Sequence, residues 1–345
     1  MKIVFILDSY NKRSGSFYST VFNLNKALLK KNVDVQILTS NILKKNKKLF
    51  YDIVLKSEIC HFFGGWSFFH IKSFLIATKF KKIRIIHPMG FYEPWALKHK
   101  FLKKKICWHL YQKKILSMAD SVHAASEKEK KNLLKLNNNF KIDVLPFGIN
   151  KKFFKKKIAK KNLKYKAIFF SRLHKVKGIC LLIEAWNELN NQQWRLDIVG
   201  PKDDSTFYNK IKKILKNNSR NTIRFLPPVF KDNKKRKLFD DYDFLVLPSK
   251  SENFGMVILE SLACGLPVLT TTNTPWKIIK EHNAGWIIKD NYYNLISALK
   301  EIFLLKLEKF NIKSNNAINL AKKYEINIII KNYLKVYAKL LKKNN

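Results

Sequence analysis

Short apolar runs alternate with longer amphipathic stretches almost from end to end of the chain, and that alternation narrows the fold more than any other feature. Strands are expected near 2–7, 33–38, 59–63, 83–87, 121–124 and 142–145, and again near 166–170, 194–199, 222–226, 243–247, 267–270 and 285–288. Helices are expected between them, notably over 17–30, 67–79, 99–118 and 126–136, then 177–190, 205–216, 232–239, 255–264 and 275–281. Beyond residue 290 only helical pattern remains, over 290–304 and 325–342. Runs such as Ala167-Ile168-Phe169-Phe170 and Phe244-Leu245-Val246-Leu247 lack the polar alternation of a half-exposed strand. They suit strands covered on both faces, as in parallel sheets. The reading is therefore α/β, with two Rossmann-like, doubly wound parallel-sheet domains facing across a cleft.

At roughly 150 residues per domain the length also suggests two. Residues 146–165 carry Pro146 and Gly148 and then a lysine-rich stretch, a composition that reads as a linker. The expected division is a domain over 1–150, a linker over 151–165, a second domain over 166–325, and a last helix over 326–345 that could pack back on the first domain. In such an arrangement the ligand is expected at the carboxyl ends of the strands, facing the linker.

The net charge is +43, and only seven of the 68 basic residues are arginine. The lysines are spread over the whole chain, where a dedicated basic module would concentrate them. The charge still attracts anionic ligands and lipid surfaces. No helix-turn-helix spacing, zinc spacing or aromatic-and-basic RNA motif accompanies it, so no specific nucleic-acid partner is expected. Cys60, Cys107, Cys180 and Cys264 form no CxxC pair, which indicates neither a disulfide framework nor a zinc site and fits a reducing cytoplasm. The apolar opening Ile3–Leu7 ends at Asp8, too short for a signal-peptide core, and no uncharged run approaches the roughly 20 residues of a membrane span. A soluble or peripheral protein is expected, the latter on the cytoplasmic face of the inner membrane.

Two loops stand out. In the segment Leu247 to Glu260 a buried strand ends at Pro248, a polar loop follows, and a helix begins near Gly255. That loop offers backbone N–H groups at a helix N-terminus, where anions bind. Glu252 falls just before the helix and Glu260 about one and a half turns inside it. A carboxylate there can accept hydrogen bonds from vicinal hydroxyls such as those of a ribose; the alternative is an ordinary helix glutamate. The second loop, Ser171 to Gly178, follows the strand 166–170 and holds Arg172 and Lys177. Arginine grips two diphosphate oxygens in a fork and lysine adds a point charge.

Arg172 with Lys177, and Glu252 with Glu260 around Asn253-Phe254-Gly255, resemble the Arg…Lys and Glu-x7-Glu signatures of glycosyltransferase family 4. The resemblance runs over nearly the whole chain. It includes Pro146-Phe147-Gly148-Ile149-Asn150, Leu262 to Val268 and Gly285-Trp286. Pro88 to Leu97 and Thr274-Pro275-Trp276 are similar to a branch that builds bacterial surface polysaccharides (lipopolysaccharide, capsule, exopolysaccharide). The resemblance implies the GT-B fold and a retaining enzyme that uses a UDP- or GDP-linked sugar without a metal or other cofactor. It implies that Arg172 and Lys177 hold the leaving diphosphate, that Glu252 bonds the donor sugar with Asn253, Phe254 and Gly255 contributing backbone donors, and that Glu260 binds the ribose. Gly15 matches the first glycine of the family's Gly-Gly turn, and Ser16 stands where the second would be. On the acceptor side His87, Met89 and Gly90 are candidates, although Met89 departs from the His or Arg often found there, and a structural histidine is an equal reading of His87.

Asp241-Tyr242-Asp243 copies an Asp-x-Asp metal motif but leads into a buried strand, and is expected to be structural; Asp203-Asp204 is expected to face solvent. Between Lys98 and Met118, Leu97, Phe101, Trp108, Tyr111, Ile115 and Met118 recur at helical spacing among seven lysines. That pattern fits either a helix on an anionic membrane surface or one packed on the core. The function expected is transfer of a hexose to a hydroxyl of a lipid-linked glycan. The rivals are another GT-B reaction (a sugar-phosphate synthase or a nucleotide-sugar epimerase) and a basic nucleic-acid-binding protein.

Overall fold

The computed structural model describes residues 1–11, 16–154, 161–216 and 222–344. The chain divides into two compact units, one of Met1–Gly148 with Ile326–Asn345 and one of Ile149–Glu325. The first unit contains β1 (Lys2–Leu7), β2 (Asp34–Thr39), β3 (Ile59–Phe63), β4 (Ile83–His87), β5 (Ser121–Ala124) and β6 (Ile142–Val144). The second contains β7 (Lys166–Phe170), β8 (Arg195–Val199), β9 (Ile223–Leu226), β10 (Phe244–Leu247), β11 (Val268–Thr271) and β12 (Gly285–Ile288). Every pairing is parallel. The spatial orders are β2-β1-β3-β4-β5-β6 and β12-β11-β10-β7-β8-β9. Both orders are doubly wound, the direction of winding reversing between β1 and β3 in the first and between β7 and β10 in the second.

Burial follows from this order. Central strands such as β1, β3 and β10 are covered on both faces, while the edge strands β2, β6 and β9 are half exposed. In the first unit Val4, Ile6, Phe62, Phe74, Ile86, Leu116 and Val122 form the core. In the second, the fully buried Trp194 meets Phe244, Phe303 and Phe310. The opening of the expected linker is packed on the second unit. Residues Lys151–Phe153 form a turn of 3-10 helix, Phe153 is buried, and its carbonyl accepts from the Cys264 thiol at 3.5 Å. Residues 155–160 lie outside the described residues.

The stretch 98–118 is not one continuous α-helix. A short helix Pro94–Lys98 ends, Lys100 takes a left-handed conformation at φ 55°, and the chain continues as Phe101–Cys107, a π-helical turn Trp108–Gln112 and Lys113–Met118. Its inward face is Leu97, Trp108, Tyr111 and Met118 against the core, with Ile115 buried among them. That face therefore packs on the protein and does not meet a membrane. Phe101, expected inward, is exposed, as are Leu102, Ile106 and Leu110.

The last helix, Ile326–Asn344, returns the chain to the first unit and packs there against the helix Ser16–Leu29. It buries Ile329, Ile330, Tyr333, Tyr337 and Leu340. At roughly 1.5–3 kcal/mol per side chain, losing them would remove about as much as a domain's whole stability of 5–15 kcal/mol. A chain ending at residue 325 is therefore expected to lose cooperative melting of the first unit, read by circular dichroism and by proteolysis of residues 1–148.

Candidate functional site

The loops leaving β7 and β10 emerge side by side at the winding reversal of the second sheet, where open α/β sheets bind ligands. They are fastened to each other. The Lys250 amide donates to the Val176 carbonyl at 2.8 Å. Gly178 has φ +71°, and a Cβ on it would lie 2.0 Å from the Pro248 carbonyl oxygen, so only glycine lets the loops approach this closely. Lys177 ends a 3-10 turn capped by His174, whose Nδ1 accepts from the Val176 amide at 3.2 Å. Its ammonium reaches across to Glu252 Oε1 at 2.6 Å, and the Ser249 hydroxyl donates to the same oxygen at 2.9 Å. Both charged side chains are largely buried, with exposures of 13% and 9%. The Thr271 hydroxyl holds the Ser249 carbonyl at 2.5 Å, which fixes the loop from the neighbouring strand β11.

Arg172, four-ninths covered, pairs with Asp203 at 2.8 Å. Asp203 and Asp204 are both exposed, as expected; Asp203 also balances the guanidinium, and Asp204 caps the helix Ser205–Lys216 by accepting from the Thr206 amide at 2.8 Å. So exposed an ion pair contributes little to stability and is easily redirected to a stronger anion.

The helix Met256–Ala263 starts at Gly255, which has φ +81°. Trp276 Nε1 donates to the Phe254 carbonyl, tying the turn before the helix to the chain after β11. Glu260 is buried on this helix, and its Oε1 accepts from Lys235 Nζ at 2.6 Å. Lys235 also lies 3.3 Å from Asp232. Burial works against the Lys235 ammonium, but the Glu260 and Asp232 carboxylates outweigh it and hold its pKa above a lysine's ordinary value. It is thus a donor, held in its charged form by those carboxylates, that orients Glu260.

Arg172, Lys177, Glu252, Asn253, Phe254, Gly255 and Glu260 all belong to the second unit. Gly15 lies outside the described residues, and Ser16 opens the helix Ser16–Leu29. The acceptor-side candidates lie in the first unit. His87 is fully buried among Phe63, Phe147 and Tyr333, the placement of a structural histidine at a strand end and not of a group that meets an acceptor. Met89 and Gly90 form a left-handed turn at φ 57° and 84°, held by the buried Glu129, which accepts from the amides of Gly90 at 2.8 Å and Ala125 at 2.7 Å. Positive φ at a methionine is uncommon, and such conformations gather at functional turns. Asp243 is buried and accepts from the Lys164 and Lys166 amides at 2.9 and 3.2 Å, whereas Asp241 is mostly exposed, so the two carboxylates do not converge. Lys235, Ser249 and Glu129 escape sequence reasoning. Only Glu129 carried a local signal, the Ser-x-x-Glu of a helix N-terminus begun by Ser126.

The family model for group 1 glycosyl transferases matches residues 150–325. An uncharacterized glycosyltransferase of Methanocaldococcus jannaschii is 28% identical over 48% of this chain and 45% of its own length. The N,N'-diacetylbacillosaminyl-diphospho-undecaprenol alpha-1,3-N-acetylgalactosaminyltransferase of Campylobacter jejuni is 30% identical over 31% of this chain and 28% of its own. The chain spans about half the length of the first curated relatives it matches, 45% of one and 54% of another. Among solved structures, HepE of Anabaena in complex with UDP-glucose superposes with a TM-score of 0.76 at 16% identity, covering 98% of this chain and 100% of that one. Sucrose-phosphate synthase of Thermosynechococcus elongatus gives 0.79 at 15% identity over 99% and 100%. These likenesses establish the two-domain GT-B fold. With the family model covering half of its length, the chain belongs to the group 1 glycosyl transferases.

Proposed function

We propose that the protein is a retaining glycosyltransferase that moves a hexose from a UDP- or GDP-linked sugar to a hydroxyl of a lipid-linked glycan during surface-polysaccharide synthesis. The Lys177–Glu252 pair beside Arg172 at the carboxyl end of β7 carries this reading. In transfer, the bond from the sugar's anomeric carbon to the diphosphate breaks and a bond to the acceptor oxygen forms, so negative charge grows on the leaving diphosphate. Lys177 is a fixed cation for that charge and Arg172 one that turns to it from Asp203, and preorganised cations at such a position supply several kcal/mol. Glu252 receives the donor sugar hydroxyls, with Asn253, Phe254 and Gly255 offering amides at the start of a helix. Glu260, oriented through one oxygen by Lys235, receives the ribose. Gly15 and Ser16 approach the donor, and the turn at Met89 and Gly90 takes the acceptor. Retention follows from the resemblance to family 4.

The acceptor class rests on two supports. The Campylobacter relative acts on a diphospho-undecaprenol-linked sugar. The segment 98–118 exposes Leu102, Ile106 and Leu110 at 75%, 60% and 72%, four residues apart, beside Lys103 and Lys105. An apolar row flanked by lysines suits the surface of an anionic bilayer on the cytoplasmic side. No helix among the described residues is long and apolar enough to cross a membrane. A second reading comes from relatives named D-inositol 3-phosphate glycosyltransferase, one of them 32% identical over 108 residues. It puts a small phosphorylated polyol in the acceptor's place.

Five outcomes are expected. A panel of nucleotide sugars, read by release of free nucleoside diphosphate, is expected to identify one donor that also raises the melting temperature. On that donor Glu252→Gln and Glu260→Gln lose transfer by at least about a hundredfold while keeping the wild-type circular dichroism spectrum; wild-type turnover in either retires the assignment. Transfer is expected to survive excess EDTA, because Arg172, Lys177 and a helix N-terminus occupy the role of a cation; loss restored by Mn²⁺ or Mg²⁺ would overturn that.

Lys235→Met strands a buried carboxylate, so it is expected to destabilise the second unit by about 3–5 kcal/mol in urea unfolding, most of it regained in Lys235→Met/Glu260→Leu. Leu102→Ser/Ile106→Ser/Leu110→Ser is expected to weaken flotation with anionic vesicles at least about tenfold, since each buried leucine or isoleucine contributes roughly 1.5–3 kcal/mol. The control replaces Tyr293, Leu304 and Phe230, apolar side chains exposed in the second unit. Equal loss in both triples would point to diffuse charge. Lys104 is left intact because its ammonium donates to the Ala96 carbonyl at 2.6 Å and lies over the Trp66 ring, so reversing it would disturb the fold.

A further inference from the structure

Three histidines from three adjacent strands meet inside the first unit. The register pairs Phe63 with His87 and His61 with Ile85, and Ile85 with Ser121, so alternation puts His61, His87 and His123 on one face of the sheet. All three are fully buried. One ligand atom from each ring lies within 4.8 Å of the others, and no other such group of histidine, cysteine or carboxylate side chains occurs among the described residues. Five of the six ring nitrogens have no hydrogen-bond partner; the sixth, His61 Nδ1, is 2.8 Å from the Tyr337 hydroxyl. The walls are aromatic: Phe5, Phe63, Phe147, Tyr333 and Tyr337.

Buried polar atoms are nearly always satisfied, and a cluster of this many orphaned nitrogens calls for an occupant. We propose that His61, His87 and His123 bind a divalent cation of the zinc class, with water or hydroxide as fourth ligand, as a structural centre of the first unit. Three imidazoles without a carboxylate suit zinc, cobalt, nickel or copper and not magnesium or calcium, which take oxygen ligands. A tetrahedral site with bonds of about 2.0–2.1 Å sets its nitrogens roughly 3.4 Å apart, so ring movements of under about 1 Å close the group onto a cation. Tyr337 holds the Nδ1 side of His61, as outer partners of metal-bound histidines do, and leaves Nε2 as its unpartnered nitrogen. Burial, the largest cause for each ring, keeps all three neutral at neutral pH, with lone pairs available. The centre would tie β3, β4 and β5 together and, through Tyr337, fasten the last helix to them. Every residue it uses lies in the first unit, and none of them is among the residues assigned to the donor.

The full chain, produced without a metal-binding tag in defined medium supplemented with Zn²⁺ or Co²⁺, tests this. Because the site is enclosed, the metal is expected to load during folding, so a second sample is refolded in its presence. About one equivalent is expected to survive gel filtration in chelator-treated buffer, with zinc-edge X-ray absorption counting three imidazoles. His87→Gln is expected to retain less than about a tenth of an equivalent, and Tyr337→Phe to bind about 10–100-fold more weakly. A wild-type protein with no retained metal from either preparation would overturn the proposal, as would undiminished metal in a folded His87→Gln. If that variant does not fold, the wild-type absorption spectrum decides: three imidazoles support the centre, and fewer refute it.

Discussion

The Glu252 carboxylate meets the Lys177 ammonium across two strands that are neighbours in the sheet but 75 residues apart in sequence. The rest of the second unit is arranged so that this can happen. Parallel pairing of β7 with β10 brings the two loops out on the same edge, and the reversal of winding leaves no helix covering the gap between them. Gly178 lets the loops touch, Ser249 and Thr271 fix the carboxylate from below, and Trp276 clamps the turn that follows. A largely buried ion pair is poor as a source of stability, because desolvation consumes most of its attraction. Its value here is positional: it holds a cation and a carboxylate at fixed points where a charged ligand can exchange partners with them.

A second layer repeats the same logic more deeply. Lys235 does for Glu260 what Lys177 does for Glu252, and the lysine in each case comes from a different element than the acid. Of the two carboxylates eight residues apart, one sits in a loop and the other inside a helix. Each is therefore oriented by its own partner, and neither depends on the conformation of the other.

Much of the fold was legible from residue pattern alone. Fully covered strands leave continuous apolar runs, and every strand lies within a residue or so of where those runs place it. The helices Ser40–Lys45, Lys47–Lys56 and Leu307–Lys322 did not stand out. The last is rich in asparagine and lysine, and its helicity comes from packing Phe310, Ala317, Ile318 and Leu320 against the second unit, with Ser314 bonded to the Gly265 carbonyl. The site acids and Arg172 could be read because their types are scarce or their spacing distinctive. Lys235 could not, because one lysine among dozens carries no signal until burial singles it out. The histidines were opaque for a different reason. Each is unremarkable in its own strand, and only the register between strands puts them together.

The return of the last helix to the first unit has a consequence for how the protein is made. Residues 1–148 leave the ribosome first, yet the helix that covers one face of their sheet is translated only after all of 149–325. At about 5–20 residues per second the wait is roughly ten to thirty seconds. During that interval the second unit, contiguous in sequence, can complete its own core, while the first must hold the pocket around Phe5 and His61 uncovered. Of the two units, the one begun earlier is thus the one completed later. A nascent chain stalled before Tyr333 and Tyr337 emerge would present an open aromatic face to chaperones.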